Sequence, residues 1–193
     1  VIRTGLLLAA GASHRFGPED KLLAPVVGLP LVAHAAQAMR QVALDHRIAV
    51  ITNPALRPLL QGFRIVMIAQ GQQSDSLRAG LAAAGNPDRL LIALGDMPDV
   101  TAAHLTQVVA MATADLPSCS YDGAAPLPPA CFPRAWLPAL AALTGDQGAG
   151  RLLRDLPTRQ HLAAPGLLRD IDRPDQITTV LRQDDATGGC GGT

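Results

Sequence analysis

The apolar run Leu6 to Ala10 passes directly into Gly11, Ala12 and Ser13, and the segment closes on two basic residues, Arg15 and Lys21. The run reads as a buried strand and the small residues as a loop at its carboxyl end. Gly11, Ala12 and Ser13 let the backbone approach a ligand closely, and successive loop N–H groups can point at anionic oxygens. Arg15 offers a planar fork of donors and Lys21 a compact charge, so the pair suits different oxygens of one triphosphate. A tight turn after a strand is the plain alternative.

Two better-known phosphate loops are excluded by spacing. Gly11 and Gly17 are six apart with no Lys after Gly17, which rules out G-x-x-x-x-G-K-[ST], and G-x-G-x-x-G is absent. A second signal stands at Leu90 to Pro98, where L-L-I-A-L is followed by Gly95, Asp96, Met97 and Pro98. A carboxylate just past a buried parallel strand lies at the sheet edge where open α/β folds bind ligands. Asp96 is there placed to share a Mg²⁺ with phosphates, because magnesium commonly takes one or two carboxylates plus substrate phosphates. Otherwise Asp96 is a turn residue before Pro98.

The motif L-A-A-G-x-S-x-R followed by Lys21, together with G-D-M-P at Gly95 to Pro98, resembles the molybdenum cofactor nucleotidyltransferase family. Within it the chain is most similar to the cytidylyltransferases. The resemblance implies a single-domain, doubly wound, mostly parallel α/β fold over residues 1–183, and the tail at 184–193, which has no core-forming residues, is expected to be flexible. It implies transfer of CMP from CTP to molybdopterin or its metal-loaded form, with release of pyrophosphate and with Mg²⁺ as cofactor. The nucleotide would meet Leu8, Ala9, Ala10, Gly11, Ala12, Ser13, Arg15, Lys21, Ser76, Arg78 and Gly95. Arg15, Lys21 and Asp96 are the implied catalytic residues, and Asp96 and Asp172 the implied metal ligands, with Asp170 a neighbour able to replace Asp172. Pro129, Asp146, Gly148 and Arg151 are the implied second-substrate residues. The Ala-Ala-Gly form at Ala9 to Gly11 favours CTP. GTP-dependent guanylyl transfer, or a carrier that hands the cofactor to a molybdenum hydroxylase without catalysis, are the alternatives.

Composition narrows the partners. The 16 basic and 16 acidic residues balance to zero with no basic block, which argues against nucleic acid. Cys119, Cys131 and Cys190 are widely spaced and odd in number, so neither a disulfide framework nor a zinc site is expected, and a reduced cytoplasmic setting is. No apolar run reaches the roughly 18 residues that would span a membrane. With one Trp, one Tyr and three Phe, the core must be filled by aliphatic residues.

Beyond Lys21, helical spacing of Leu31, Ala35, Ala38 and Val42 predicts a helix after Pro30, and R-I-A-V-I-T at Arg47 to Thr52 predicts a strand. A short helix around Ala55 to Gln61 and a strand from Phe63 to Ile68 continue the alternation expected of a parallel sheet. Ser74 or Ser76 caps the next helix, and Thr101 caps another whose His104 is expected on the exposed side. Five prolines between Pro117 and Pro133 predict loops and edge strands rather than an interior strand. Asp146 reads either as a cap or as a residue facing the pterin. Asp172, before Arg173-Pro174, also reads as a cap.

Overall fold

A computed structural model describes residues 1–11 and 20–177. Ala12, Ser13 and Arg15, and the tail 184–193, lie outside the described residues.

The strands are β1 (Arg3–Ala9), a small hairpin of β2 (Pro25–Val26) and β3 (Leu29–Pro30), β4 (His46–Ile51), β5 (Arg64–Met67), β6 (Arg89–Leu94), β7 (Ser118–Tyr121), β8 (Pro126–Pro133) and β9 (His161–Ala163). The helices are α1 (Leu31–Arg40), α2 (Gln73–Ala84), α3 (Ala102–Met111) and α4 (Leu137–Ala141). Seven strands form one sheet in the order β5-β4-β1-β6-β8-β7-β9. β1 pairs in parallel with β4 and β6, and β4 with β5. Only β8 runs against the others, antiparallel to both β6 and β7, while β7 and β9 are parallel. The sheet is therefore mostly parallel, as expected.

Successive residues of β1 and β6 serve opposite faces, because strand side chains alternate. Leu7, Leu91 and Ala93 pack with Leu31, Val32, Ala35 and Met39 of α1 and with Leu105 and Val108 of α3. Leu6, Leu90 and Ile92 pack on the other side with Leu77 of α2 and Leu140 of α4. Cover on both faces explains why these strands read as unbroken apolar runs rather than alternations. At Gly80 the absence of a side chain brings α2 close to β1, since a Cβ there would stand 2.5 Å from Leu6 Cδ1.

Three expectations are corrected. The proline-rich segment supplies an interior strand: Ala130, Cys131 and Phe132 of β8 are wholly buried and pair with Ile92, Leu91 and Leu90. The prolines are accommodated because the β7–β8 register shifts between Cys119 and Ser120, which carries Pro128 and Pro129 through an irregular stretch of the ladder. Neither serine caps α2. Gln72 is the cap, its side chain bonded to the N–H of Asp75 while the Asp75 carboxylate accepts the Gln72 N–H at 2.8 Å, and Ser74 and Ser76 are buried inside the first turn.

His104, finally, is 5% exposed rather than solvent-facing. Its Nε2 lies 2.8 Å from Ser120 Oγ, and that hydroxyl donates to the Pro129 carbonyl at 2.8 Å. With the serine proton so committed, His104 must be the donor, which fixes Nε2–H as the neutral tautomer. Burial pushes its pKa below the ordinary value of 6.5. The unfolded chain therefore binds a proton that the native chain resists, and stability falls as the pH drops below about 6.5 toward the native pKa. The urea midpoint is expected to decline from pH 7.5 to 5.5, and less steeply in His104→Gln, which retains a donor to Ser120. Equal slopes would refute this account.

Candidate nucleotide and metal site

Lys21 begins a 3-10 turn, Lys21–Leu23, directly after its cap, Asp20. Asp20 holds the turn: one carboxylate oxygen accepts the Leu22 N–H at 3.0 Å and the other accepts Asn53 Nδ2–H at 2.9 Å. Asn53, just past β4, also accepts the Ala55 N–H at 2.9 Å, so the stem of the lysine is tied to the end of a neighbouring strand. Neither Asp20 nor Asn53 was singled out from the sequence. Asn53-Pro54 was the available signal, since Asn-Pro marks a turn whose side chain binds the local backbone.

Asp96 follows β6. The Gly95 N–H donates to Leu8 O at 2.9 Å, extending the β1–β6 ladder by one step. Gly95 is confined there, as a Cβ would lie 3.2 Å from that of Ala9 and 3.4 Å from Leu8 O. Asp172 arrives from the far end of the chain. Buried Ile171 donates its N–H to Asp96 O at 3.1 Å, and Arg169 grips Asp99 Oδ2 through Nε at 3.0 Å and Nη2 at 2.7 Å. Gln176 Oε1 accepts the N–H groups of Asp172 and Arg173. The Ile171 and Arg169 bonds fix the segment beside the end of β6, and Gln176 orders its own backbone.

The result is a charged cluster from three remote parts of the sequence. Lys21 Nζ donates to Asp96 Oδ2 at 2.8 Å and to Asp172 Oδ1 at 2.7 Å. Burial would lower the Lys21 pKa, but the charges and hydrogen bonds of Asp96 and Asp172 outweigh it and raise the pKa above 10.5, so the side chain stays an ammonium. Asp170 stands beside the cluster, its pKa raised by burial and then by the neighbouring Asp172. Of the two aspartates left open by the sequence, Asp172 is the one bonded to Lys21.

The donor set fits a hard divalent cation. Asp96 Oδ1 is buried without a hydrogen-bond partner among the described residues, an expensive state for a carboxylate oxygen unless something else satisfies it. Among the described residues no group of three or more His, Cys, Asp or Glu has a metal-holding arrangement. Two carboxylates, completed by phosphate oxygens, match magnesium or manganese rather than a closed protein cage.

The remaining expected residues lie around α2. Ser74 N–H donates to Gly145 O at 3.2 Å, and Gly148 faces Gln73, where a Cβ would stand 2.7 Å from Gln73 Oε1. Arg78 is bonded to Asp75 and to Leu143 O, fastening α2 to the same loop. Ser76 is buried, Asp146 and Arg151 are exposed, and Pro129 is buried with its carbonyl on Ser120. Gly148, not Asp146, is the cap of the 3-10 turn Ala149–Leu153. Leu8, Ala9, Ala10 and Gly11 form the end of β1 and its exit, with Ala10 buried on the α2 side.

Residues 5–163 match the family model described as the MobA-like NTP transferase domain. The chain belongs to this family. It is 31% identical to the purine catabolism protein PucB of Bacillus subtilis, over 92% of this chain and 95% of that protein. It is 32% identical to the nicotine blue oxidoreductase of Paenarthrobacter nicotinovorans, over 92% and 96%. Among solved structures it resembles Rv0371c from Mycobacterium tuberculosis, with TM-score 0.82 and 27% identity over 94% of this chain and 99% of that one. A manganese complex of Rv0371c superposes with TM-score 0.79 at 26% identity, with the same coverage. The family assignment makes the chain a nucleotidyltransferase-type protein, related to proteins connected with the molybdenum cofactor.

Proposed function

We propose that the chain transfers CMP from CTP to the terminal phosphate of molybdopterin or its metal-loaded form. The observation that carries this reading is Lys21 Nζ held between Asp96 and Asp172 at the carboxyl edge of a parallel sheet. A phosphate oxygen of the acceptor forms a bond to the α-phosphorus, the bond from that phosphorus to the bridging oxygen breaks, and pyrophosphate leaves with the electron pair. The acceptor phosphate is already anionic near neutral pH, with a second pKa of about 6, so no general base is needed. Catalysis is then positioning and charge stabilisation. Asp96 and Asp172 would hold Mg²⁺, which when bound offsets charge on the nucleotide's phosphates. Lys21 would neutralise a phosphate oxygen of the nucleotide. Arg15, from the preceding loop, serves the leaving group. Asp146, Gly148 and Arg151 lie on the loop proposed to receive the pterin, and Arg151 would meet its phosphate.

Pyrophosphate release with Mg²⁺ and molybdenum cofactor, measured separately with CTP, GTP, ATP and UTP, tests the proposal. Release with CTP alone is expected, and release with GTP instead would keep the mechanism and overturn the base choice. The preference for CTP rests on Ala10. Its methyl is buried in the cluster that contains Leu77 of α2, and it would act on base size by narrowing the place where a purine would meet the backbone at the end of β1. Ala10→Gly is expected to shift the ratio of kcat/KM for CTP over GTP toward GTP by about tenfold, the scale of a methyl or methylene difference. An unchanged ratio would refute that role. The relation to nicotine blue oxidoreductase favours one other reading, an oxidoreductase that binds a nucleotide cofactor on the same loop. Such a protein would release no pyrophosphate from any of the four nucleotides.

A further inference from the structure

We propose that a cavity at the opposite edge of the sheet from Lys21 and Asp96 binds a small organic oxyanion, a carboxylate or phosphate ester with a short apolar body, through Arg3 and Arg89. The cavity has a volume of about 340 Å³. That is the lower end of the size range of small-molecule sites. Arg3 opens β1 and Arg89 opens β6, and the two are direct partners in the parallel ladder. Their side chains therefore leave the same face of the sheet from strands about 4.8 Å apart. That face is the one covered by α1 and α3, and Val42, Val109 and Ala112, past or near the carboxyl ends of those helices, make the apolar wall.

Like charges at directly paired positions repel. Among the described residues no carboxylate is hydrogen-bonded to either guanidinium, although the Asp88 carboxylate is close enough to Arg89 to offset part of its charge. Asp45 accepts the Arg3 backbone N–H at 2.7 Å, and Asp88 is engaged by the Ile2 N–H and by Arg134 Nη2. Arg89 Nη1 donates to the Asp88 backbone carbonyl at 3.0 Å. Nor are the two arginines consumed in capping helices. Arg47 already donates to the carbonyls of Met39, Arg40 and Val42 at the end of α1, and Ser118 Oγ to that of Val108 in α3. Thr106 donates to Ala102 O, and the two guanidinium groups line the cavity beside Val1, with Arg89 keeping Nη2 and Nε for a ligand. An oxyanion between the two forks would relieve their repulsion and form charge-assisted bonds to both, and its apolar body would cover Val42, Val109 and Ala112. This site is independent of the nucleotide reading.

The test is calorimetric titration of the whole chain with benzoate, phenyl phosphate and, as the neutral control, benzyl alcohol. It is repeated on Arg3→Gln, Arg89→Gln and Lys21→Ala. Saturable binding of at least one anion is expected, with no binding of the alcohol, and the tighter anion names the class. Either arginine substitution is expected to weaken binding about tenfold or more, the scale of one charged hydrogen bond, and Lys21→Ala to leave it unchanged. Binding that survives both arginine substitutions, that Lys21→Ala abolishes, or that the alcohol matches would overturn the proposal. Absence of saturable heat from either anion would do the same. Amide shifts of the unsubstituted, nitrogen-labelled chain decide the matter if an arginine variant fails to fold. Arg3, Val42, Arg89 and Ala112 should move with the anion while Lys21 and Asp96 do not, and the reverse pattern would place the ligand elsewhere.

Discussion

Asp96→Asn is expected to lower kcat for pyrophosphate release by about a thousandfold, the upper range for removing one electrostatic contact to a reacting centre. The amide keeps the size of the side chain but surrenders the charge that both Lys21 and a divalent cation would use. It also replaces the buried, unpartnered Oδ1 with a group that cannot match a carboxylate as a hard-cation ligand. Folding should change little, because the Asp96 backbone carbonyl still accepts from Ile171 and Lys21 keeps Asp172. Equal urea midpoints with the loss of turnover would locate the effect in chemistry. Retention of more than about a tenth of the native kcat, against that expected thousandfold fall, would remove Asp96 from the proposed machinery.

The second large effect concerns the fold. Phe132 is wholly buried in β8, paired with Leu90 and tilted against the Trp136 ring at a centroid distance of 6.5 Å. Phe132→Ala would remove the largest side chain among the fully buried ones, at an expected cost of about 3–5 kcal/mol of stability from lost transfer energy and the cavity left behind. Few other aromatic rings are available to collapse into the space. The urea midpoint measures the cost, and a loss below about 1 kcal/mol, well short of the usual range for such a truncation, would mean that α4 closes over the gap.

How far the sequence could be read depended on whether the controlling interactions were local. β1, β4 and β6 were legible because burial on both faces leaves an apolar run that periodicity detects. Gly95-Asp96 was legible as the end of such a run, but its ion pair with Lys21 was not, because the two residues are joined only when their strands lie side by side. β8 was not legible, because proline rules describe regular ladders and the Pro128-Pro129 pair sits where the β7–β8 register breaks. The α2 cap was misassigned for a related reason. Serine is the stronger local cap, but the Ser74 N–H is drawn to Gly145, and Gln72 forms the reciprocal pair with Asp75 instead. His104 was placed outside because helix periodicity says nothing of a hydroxyl supplied by Ser120 from another strand. Among the described residues Asn53 reaches the Lys21 turn through Asp20, a relay that becomes visible when the end of β4 and Asp20 are adjacent in space.

The order in which the charged cluster is drawn from the chain has a consequence for its birth on the ribosome. Lys21 belongs to the first strand–loop unit, Asp96 emerges with the fourth strand of the parallel half, and Asp172 comes after every strand of the sheet. Domains begin to fold from the amino terminus during synthesis. A nascent chain lacking residues 168–172 can thus pair Lys21 with Asp96 but has only one of the two carboxylates that would seat a cation. Ile171 closes onto Asp96 by a single backbone bond and a buried side chain, so the final segment acts as a latch. Completion of the carboxylate pair around Lys21 is thereby deferred until the last strands of the sheet have been translated and docked.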